Sequence, residues 1–85
     1  MEKRAKQFYD RAVSSERYES RLLCFFDAFC AQFGTEGMKK ASQVCALAED
    51  DFKKAVDCCY EDHEGPSVRL TQAQLEALRA FLEKI

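Results

Sequence analysis

Residues 38–59, which read MKKASQVCALAEDDFKKAVDCC, give the strongest indication of the fold class. Apolar side chains recur in this stretch at alternating steps of three and four residues, the period of one face of an α-helix. An aromatic segment precedes the stripe and a capped helix follows it. Together they predict an all-α fold, a compact three- to four-helix bundle with short loops. The stripe consists of Met38, Ala41, Cys45, Ala48, Phe52, Ala55 or Val56, and Cys59.

The first predicted helical region covers about residues 2–33 of a single helical domain over residues 1–85. Its apolar face changes register near Ser14 and Ser15. The region is therefore either one kinked helix or two helices. Gly34 stands where a helix-ending C′ glycine is expected.

The second predicted helical region covers residues 37–62, and Leu47 does not fit it. In a continuous helix Leu47 would point nearly opposite to the apolar stripe, on the same side as Cys58. Two explanations remain open. Either the helix breaks near residues 46–49, or Leu47 and Cys58 face a second contact surface.

The third predicted helix covers residues 71–85 and has a complete start signal. Thr71 and Gln74 have the spacing of a capping box, and Leu70 and Leu75 have that of a hydrophobic staple. These features indicate a stable helix and imply no activity of their own.

Composition restricts where the chain is expected to act. The 85 residues carry a net charge of −2, with an excess of basic residues near the amino terminus and of acidic residues over 35–64. No apolar run is long enough to span a membrane, and no secretory signal opens the chain. We therefore expect a cytoplasmic protein, in its own cell or in an infected host, with no membrane partner.

The residues that carry chemistry do not form a recognisable catalytic or metal-binding motif. Five cysteines are an odd number in predicted helices, which favours reduced, buried thiols over a disulfide framework. His63, the only histidine, follows Cys59 by four residues, and Asp62 lies beside it. A structural zinc site needs four ligands in close pairs, and a nucleophile needs a pocket and oxyanion donors. We expect no metal, no cofactor and no enzymatic activity.

The apolar face of residues 18–33 spans roughly 160°, wider than one neighbouring helix covers. Uncovered apolar surface of this kind usually marks an interface. We therefore expect a small non-enzymatic protein-interaction or regulatory module, with a homodimer as one form of association. The interface candidates are Phe8, Tyr9, Tyr18, Phe25, Phe26, Leu47 and Cys58.

An acidic surface is a second candidate for contact with a partner. Four carboxylates form this predicted docking face, which would bind a basic patch on another protein, in the manner of an inhibitor that resembles nucleic-acid charge. The residues of the face are Glu49, Asp50, Asp57 and Glu61.

The alternative prediction is a DNA-binding or DNA-associated helical protein. A helix-turn-helix fits residues 38–57, with a turn at Ala46 that also explains Leu47. The second helix of this motif would bring acidic side chains to a phosphate-lined groove, which opposes entry. Nucleic-acid contact would then rely on basic residues of the amino-terminal stretch. The phosphate-contact candidates are Lys3, Arg4, Lys6 and Arg11.

The layout of the chain also resembles the histone fold. A short helix over residues 20–31, a long one over 37–62, the extended segment 68–70 and a last short helix from Thr71 follow that plan. The resemblance implies dimerisation by a handshake of two chains and a place in DNA-binding or transcription assemblies.

Overall fold

The computed structural model of this chain describes residues 1–60 and 65–85, and over these ranges the protein is all-α without a β-strand. The predicted fold class is therefore confirmed. Five α-helices and one 3₁₀ turn follow one another in this part of the chain. They are α1 (Lys3–Ser14), α2 (Tyr18–Phe33), the 3₁₀ turn (Gly34–Glu36), α3 (Gly37–Val44), α4 (Glu49–Asp57) and α5 (Gln72–Glu83).

The first helical region is two helices, not one kinked helix. α1 ends at Ser14, and extended backbone at Ser15 and Arg17 separates it from α2. Gly34 ends α2 with φ +61 and donates its N–H to the carbonyl of Cys30, as expected of a helix-ending glycine.

The second helical region also breaks. Ala46 adopts a left-handed conformation with φ +57, and the Leu47 N–H donates to the Ser42 carbonyl at 2.9 Å. Acidic residues in the first turn of α4 favour a new helix start at Glu49, because carboxylates stabilise the positive end of a helix. α4 ends at Asp57, earlier than predicted, and residues 58–60 form a turn. The predicted end at residue 62 lies outside the described residues.

The break removes the main support for the histone-fold resemblance. That layout requires one long central helix, whereas α3 has 8 residues and α4 has 9. The left-handed backbone at Ala46 turns the chain out of the helical path between them.

α2 is the centre of the core and packs against α1, α3 and α5. Its buried residues Leu22, Phe25 and Phe29 follow the three-and-four spacing of one helical face. α3 approaches α2 very closely at Gly37. A Cβ atom at this glycine would lie 2.8 Å from the Cα of Cys30, so this approach requires glycine.

α5 closes the core, and its predicted start is confirmed. The Thr71 hydroxyl accepts from the Gln74 N–H at 3.1 Å, and the Gln74 side chain accepts from the Thr71 N–H at 2.9 Å. The Gln74 amide also donates to the Cys45 carbonyl at 3.0 Å, which ties α5 to the end of α3. Among the helices described, none has the length and apolar character needed to cross a bilayer.

Candidate interaction surfaces

The side chains predicted to meet a partner are mostly covered by the chain itself. None of the seven is exposed, and the large apolar side chains that are exposed in the described ranges are Val13, Tyr60 and Ile85, on separate parts of the chain. The predicted surplus of apolar surface is therefore largely absorbed by the fold. Phe25 is fully buried, whereas Phe8, Tyr9, Tyr18, Phe26, Leu47 and Cys58 are half-buried.

The prediction that Phe25 contacts a partner is wrong. Its side chain is 0% exposed, because α1 covers it and places the Tyr9 ring 6.3 Å away, centre to centre. Tyr9 itself is engaged at its polar end, where its hydroxyl donates to the Glu83 carboxylate at 2.8 Å. This hydrogen bond and one from Arg79 lower the pKa of Glu83.

The other half-buried candidates also have partners within the chain. The centres of the Phe26 and Phe52 rings lie 5.9 Å apart. Leu47, which follows the turn at Ala46, packs against the core. The Cys58 sulfur accepts from the Val68 N–H at 3.3 Å, which fastens the chain after α4 to the segment before α5. These contacts leave only parts of each side chain for another molecule.

Three of the four carboxylates of the predicted acidic docking face lie on α4, and all three are accessible. Glu49 and Asp50 are exposed in the first turn, Asp57 is half-exposed at the end, and Asp51 adds a further exposed carboxylate that the prediction did not include. Glu61 lies outside the described residues. Lys53 and Lys54 share the helix, but no carboxylate described by the structure comes within ion-pair distance of either ammonium group.

The four basic candidates of the amino terminus are all exposed on α1, but they do not act alike. Lys6 pairs with Asp10 at 3.4 Å, and the Arg11 guanidinium lies 5.8 Å from the centre of the Phe8 ring. Arg4 lines a cavity of about 250 Å³ between α1 and α2. Lys3 joins them on the solvent side of the helix.

α3, the turn and α4 have the burial pattern that the helix-turn-helix interpretation requires. Ala41 and Cys45 are buried before the turn, and Phe52 and Ala55 are buried after it. Ala46 supplies the left-handed residue at the turn. The exposed charges of the second helix remain predominantly acidic, as the sequence indicated.

Burial makes four of the five thiols less acidic. All five are free, and burial raises the pKa of Cys24, Cys30 and Cys59, and that of Cys45 to about 11. A raised pKa keeps a thiol protonated and weakly nucleophilic at neutral pH. Within residues 1–60 and 65–85 no three cysteine or acidic side chains gather as metal ligands. Asp62 and His63 are not among these residues.

Sequence reasoning missed a polar cleft between the first turns of α2 and α5. The cleft has a volume of about 360 Å³ and brings Tyr18 and Arg21 next to Arg69, more than forty residues away along the chain. The Arg69 guanidinium lies 3.8 Å from the centre of the Tyr18 ring. No local spacing signals this cleft, because only the packing of α5 on α2 creates it.

Comparisons of this chain with protein-family models, with curated proteins and with solved structures found no match.

Proposed function

We propose that this protein is a small non-enzymatic interaction module that binds a basic surface of a partner protein through the acidic face of α4, defined by Glu49, Asp50, Asp51 and Asp57. Binding of this kind would regulate or inhibit the partner by occupying that surface. The observation that carries the proposal is the unpaired state of these carboxylates in the described structure.

Several carboxylates elsewhere in the described structure are ion-paired, whereas the unpaired ones outside α4 are scattered over residues 2–36. Asp10 pairs with Lys6, Glu76 with Arg21 and Glu83 with Arg79. On α4, by contrast, the exposed carboxylates have no cationic partner among the described residues, so their charge is directed to solvent. Complementary charge on a partner would steer association and fix its orientation.

The buried side of α4 anchors this face to the core. α4 buries Phe52, Ala55 and Val56, and this apolar side holds the opposite, charged side outward. The same arrangement that positions a recognition helix in a DNA-binding protein would here present a protein-binding helix. Phosphate repulsion excludes the acidic first turn from a DNA groove.

The test is affinity capture from a nuclease-treated lysate of cells that produce the protein. The wild type is compared with the double variant Asp50→Asn/Asp57→Asn, which removes two charges with little change in shape. We expect the wild type to retain a basic protein and the variant to retain several-fold less, with both losing it as salt is raised.

The matched control is Asp10→Asn/Glu36→Gln, which removes the same charge from exposed positions outside α4. It is expected to retain the partner as the wild type does. If both double variants lost the partner equally, net charge alone would explain the effect and not the α4 face. If both retained the partner equally, the proposal would be contradicted.

A second candidate function is DNA binding, which the burial pattern on both sides of Ala46 favours. The phosphate contacts would come from Lys3, Arg4 and Arg11, with Lys6 beside them. A mobility-shift titration on duplex DNA tests it. This candidate predicts a retarded complex that weakens steeply with salt and is lost in Lys3→Gln/Arg4→Gln, whereas the protein-binding proposal predicts no such complex.

Two-fold self-association remains a separate prediction. The covered aromatic side chains no longer favour it, but light scattering on a sizing column tests it directly. A strict monomer at tens of micromolar protein, on the order of the affinities of weak dimers, would contradict it.

A further inference from the structure

The cleft between the first turns of α2 and α5 combines several features of an oxyanion site. Its lining includes two guanidinium groups, those of Arg21 and Arg69, together with Tyr18, Leu70 and Gln72. Its volume of about 360 Å³ exceeds the space that one water molecule occupies. The site is separate from the acidic face of α4.

Arg69 supplies the open hydrogen-bond donors of the cleft. Its guanidinium is stacked on the Tyr18 ring at 3.8 Å, which holds the plane while its edges remain accessible. No carboxylate described in the structure lies within ion-pair distance of it. A stacked guanidinium without a carboxylate partner is suited to bind phosphate or carboxylate through two parallel hydrogen bonds.

Arg21 supplies a second, fixed positive charge. Its side chain is 20% exposed, and its Nη2 donates to Glu76 at 3.3 Å. Nε has no acceptor and is closed to solvent. The single contact with Glu76 therefore leaves part of the hydrogen-bonding capacity of Arg21 unused, and its charge adds to that of Arg69.

The surrounding groups reinforce this polarity. The Tyr18 hydroxyl accepts from the Leu70 N–H at 2.8 Å, and burial raises the pKa of Tyr18, so the hydroxyl keeps a proton that it can donate. The positive ends of α2 and α5 also point to this region, and no side chain caps α2. Glu16 is the one carboxylate in the lining, and Glu76 balances part of the Arg21 charge, so the guanidinium of Arg69 is the main attraction for an anion.

We propose that this cleft binds a phosphate group, with Arg69 and the Tyr18 hydroxyl as donors and Arg21 as a supporting charge. The two sources of such a group are inorganic phosphate and a phosphomonoester. The tetrahedral, doubly charged oxyanion matches two guanidinium groups that come from different elements better than a planar carboxylate does.

The test is a titration of the whole chain followed by amide chemical shifts, with inorganic phosphate and O-phosphoserine as separate probes. Sodium chloride at matched ionic strength and acetate are the reference titrations. We expect saturable shifts at Tyr18, Leu70 and Gln72 in the millimolar range or below with a phosphate probe, and no saturation with chloride. A preference for O-phosphoserine would identify the monoester as the source.

The decisive variant is Arg69→Gln, because Arg69 is exposed and its loss leaves the core intact. It is expected to weaken phosphate binding at least tenfold, whereas Arg11→Gln, an equal charge change on α1, leaves it unchanged. Glu16→Gln is expected to tighten binding. The proposal would be overturned if phosphate binding did not saturate, or if acetate bound with equal affinity. It would also be overturned if Arg69→Gln and Arg11→Gln weakened phosphate binding equally. None of these results bears on the α4 face.

Discussion

The α1–α2 pair and the α3–α4 pair each consist of two helices separated by a short break, but they differ in the size of the side chains that they bury. α1–α2 centres on large buried aromatic side chains, Phe25 and Phe29. α3–α4 centres on small side chains such as Ala41 and Ala55, with Phe52 as its one fully buried aromatic residue. The first pair thus buries more large aromatic surface than the second, and burial of apolar surface stabilises the fold.

The two pairs also differ in their surface charges. The Lys6–Asp10 ion pair lies on α1 and the Arg21–Glu76 ion pair joins α2 to α5, whereas the charged residues of α3 and α4 have no ion pair within the described structure. Exposed pairs contribute little to stability, so this difference has little effect on folding. We infer that one pair serves mainly stability and the other mainly recognition.

The largest expected effect tests the aromatic pair. Phe29 is 0% exposed and its ring stacks on that of Phe81 at 5.6 Å. Phe29→Ala removes these contacts and leaves a cavity, and we expect a loss of about 3–5 kcal/mol in the free energy of unfolding. Denaturant unfolding with Cys45→Ala as the counterpart from α3–α4 measures the contrast. A larger loss for Cys45→Ala would reverse the comparison.

The next effect tests the junction between the pairs. In Gly37→Ala the new Cβ would lie 2.8 Å from the Cα of Cys30. This neighbour is a backbone atom of α2, so it cannot move aside as the end of a flexible side chain could. We expect a loss of about 2 kcal/mol or more in the free energy of unfolding.

Gly34→Ala is the control for that substitution. It meets nothing within 4 Å but has φ +61 and ψ −129, a backbone conformation that L side chains rarely adopt, so it reports the backbone cost alone, about 1–3 kcal/mol. If Gly37→Ala cost less than about 1 kcal/mol in thermal unfolding, close packing of α3 on α2 would not explain the glycine.

A smaller effect of opposite sign tests the turn of α3–α4. Ala46 is exposed and left-handed, with φ +57. Ala46→Gly relieves the strained backbone without removing a buried contact, and we expect a gain of about 0.5–1 kcal/mol in the free energy of unfolding. Ala73→Gly, in the first turn of α5, is the control and is expected to lower the free energy of unfolding, because glycine is less favourable than alanine in a helix. A loss at Ala46 would contradict the left-handed turn.

The smallest effect tests whether the α4 charges matter for folding. Asp50→Asn/Asp57→Asn removes two carboxylates that have no ion pair in the described structure, and we expect a change within about 1 kcal/mol. Thermal unfolding at low and high salt checks it. A collapse of stability would show that these charges hold the fold together.

The sequence predicted the elements better than the surfaces. Thr71 and Gln74 define the start of α5 because a capping box is a local pattern within four residues. The position of Leu47 suggested a helix break as one of two explanations, because in a continuous helix Leu47 would lie opposite to the apolar stripe. Local signals of this kind need no knowledge of the rest of the fold.

The sequence does not show in the same way which neighbouring element covers the apolar face of a helix. The apolar face of α2 was assigned to a partner because periodicity shows which side is apolar but not which neighbour lies on it. In the structure Tyr9 and Phe81 come from distant segments to cover Phe25 and Phe29. The Arg69–Tyr18 contact was invisible for the same reason, since it spans the chain from α2 to the segment before α5.

Site-directed photo-crosslinking tests the division between stability and recognition most directly. A benzoylphenylalanine in place of Lys53, an exposed position on α4 outside the docking carboxylates, is compared with one in place of Gln7, an exposed position on α1, in cells that produce the protein. We predict a crosslink to a basic protein from the α4 position and none to that protein from α1. A protein crosslink from the α1 position alone, or a crosslink to nucleic acid from either, would contradict the account.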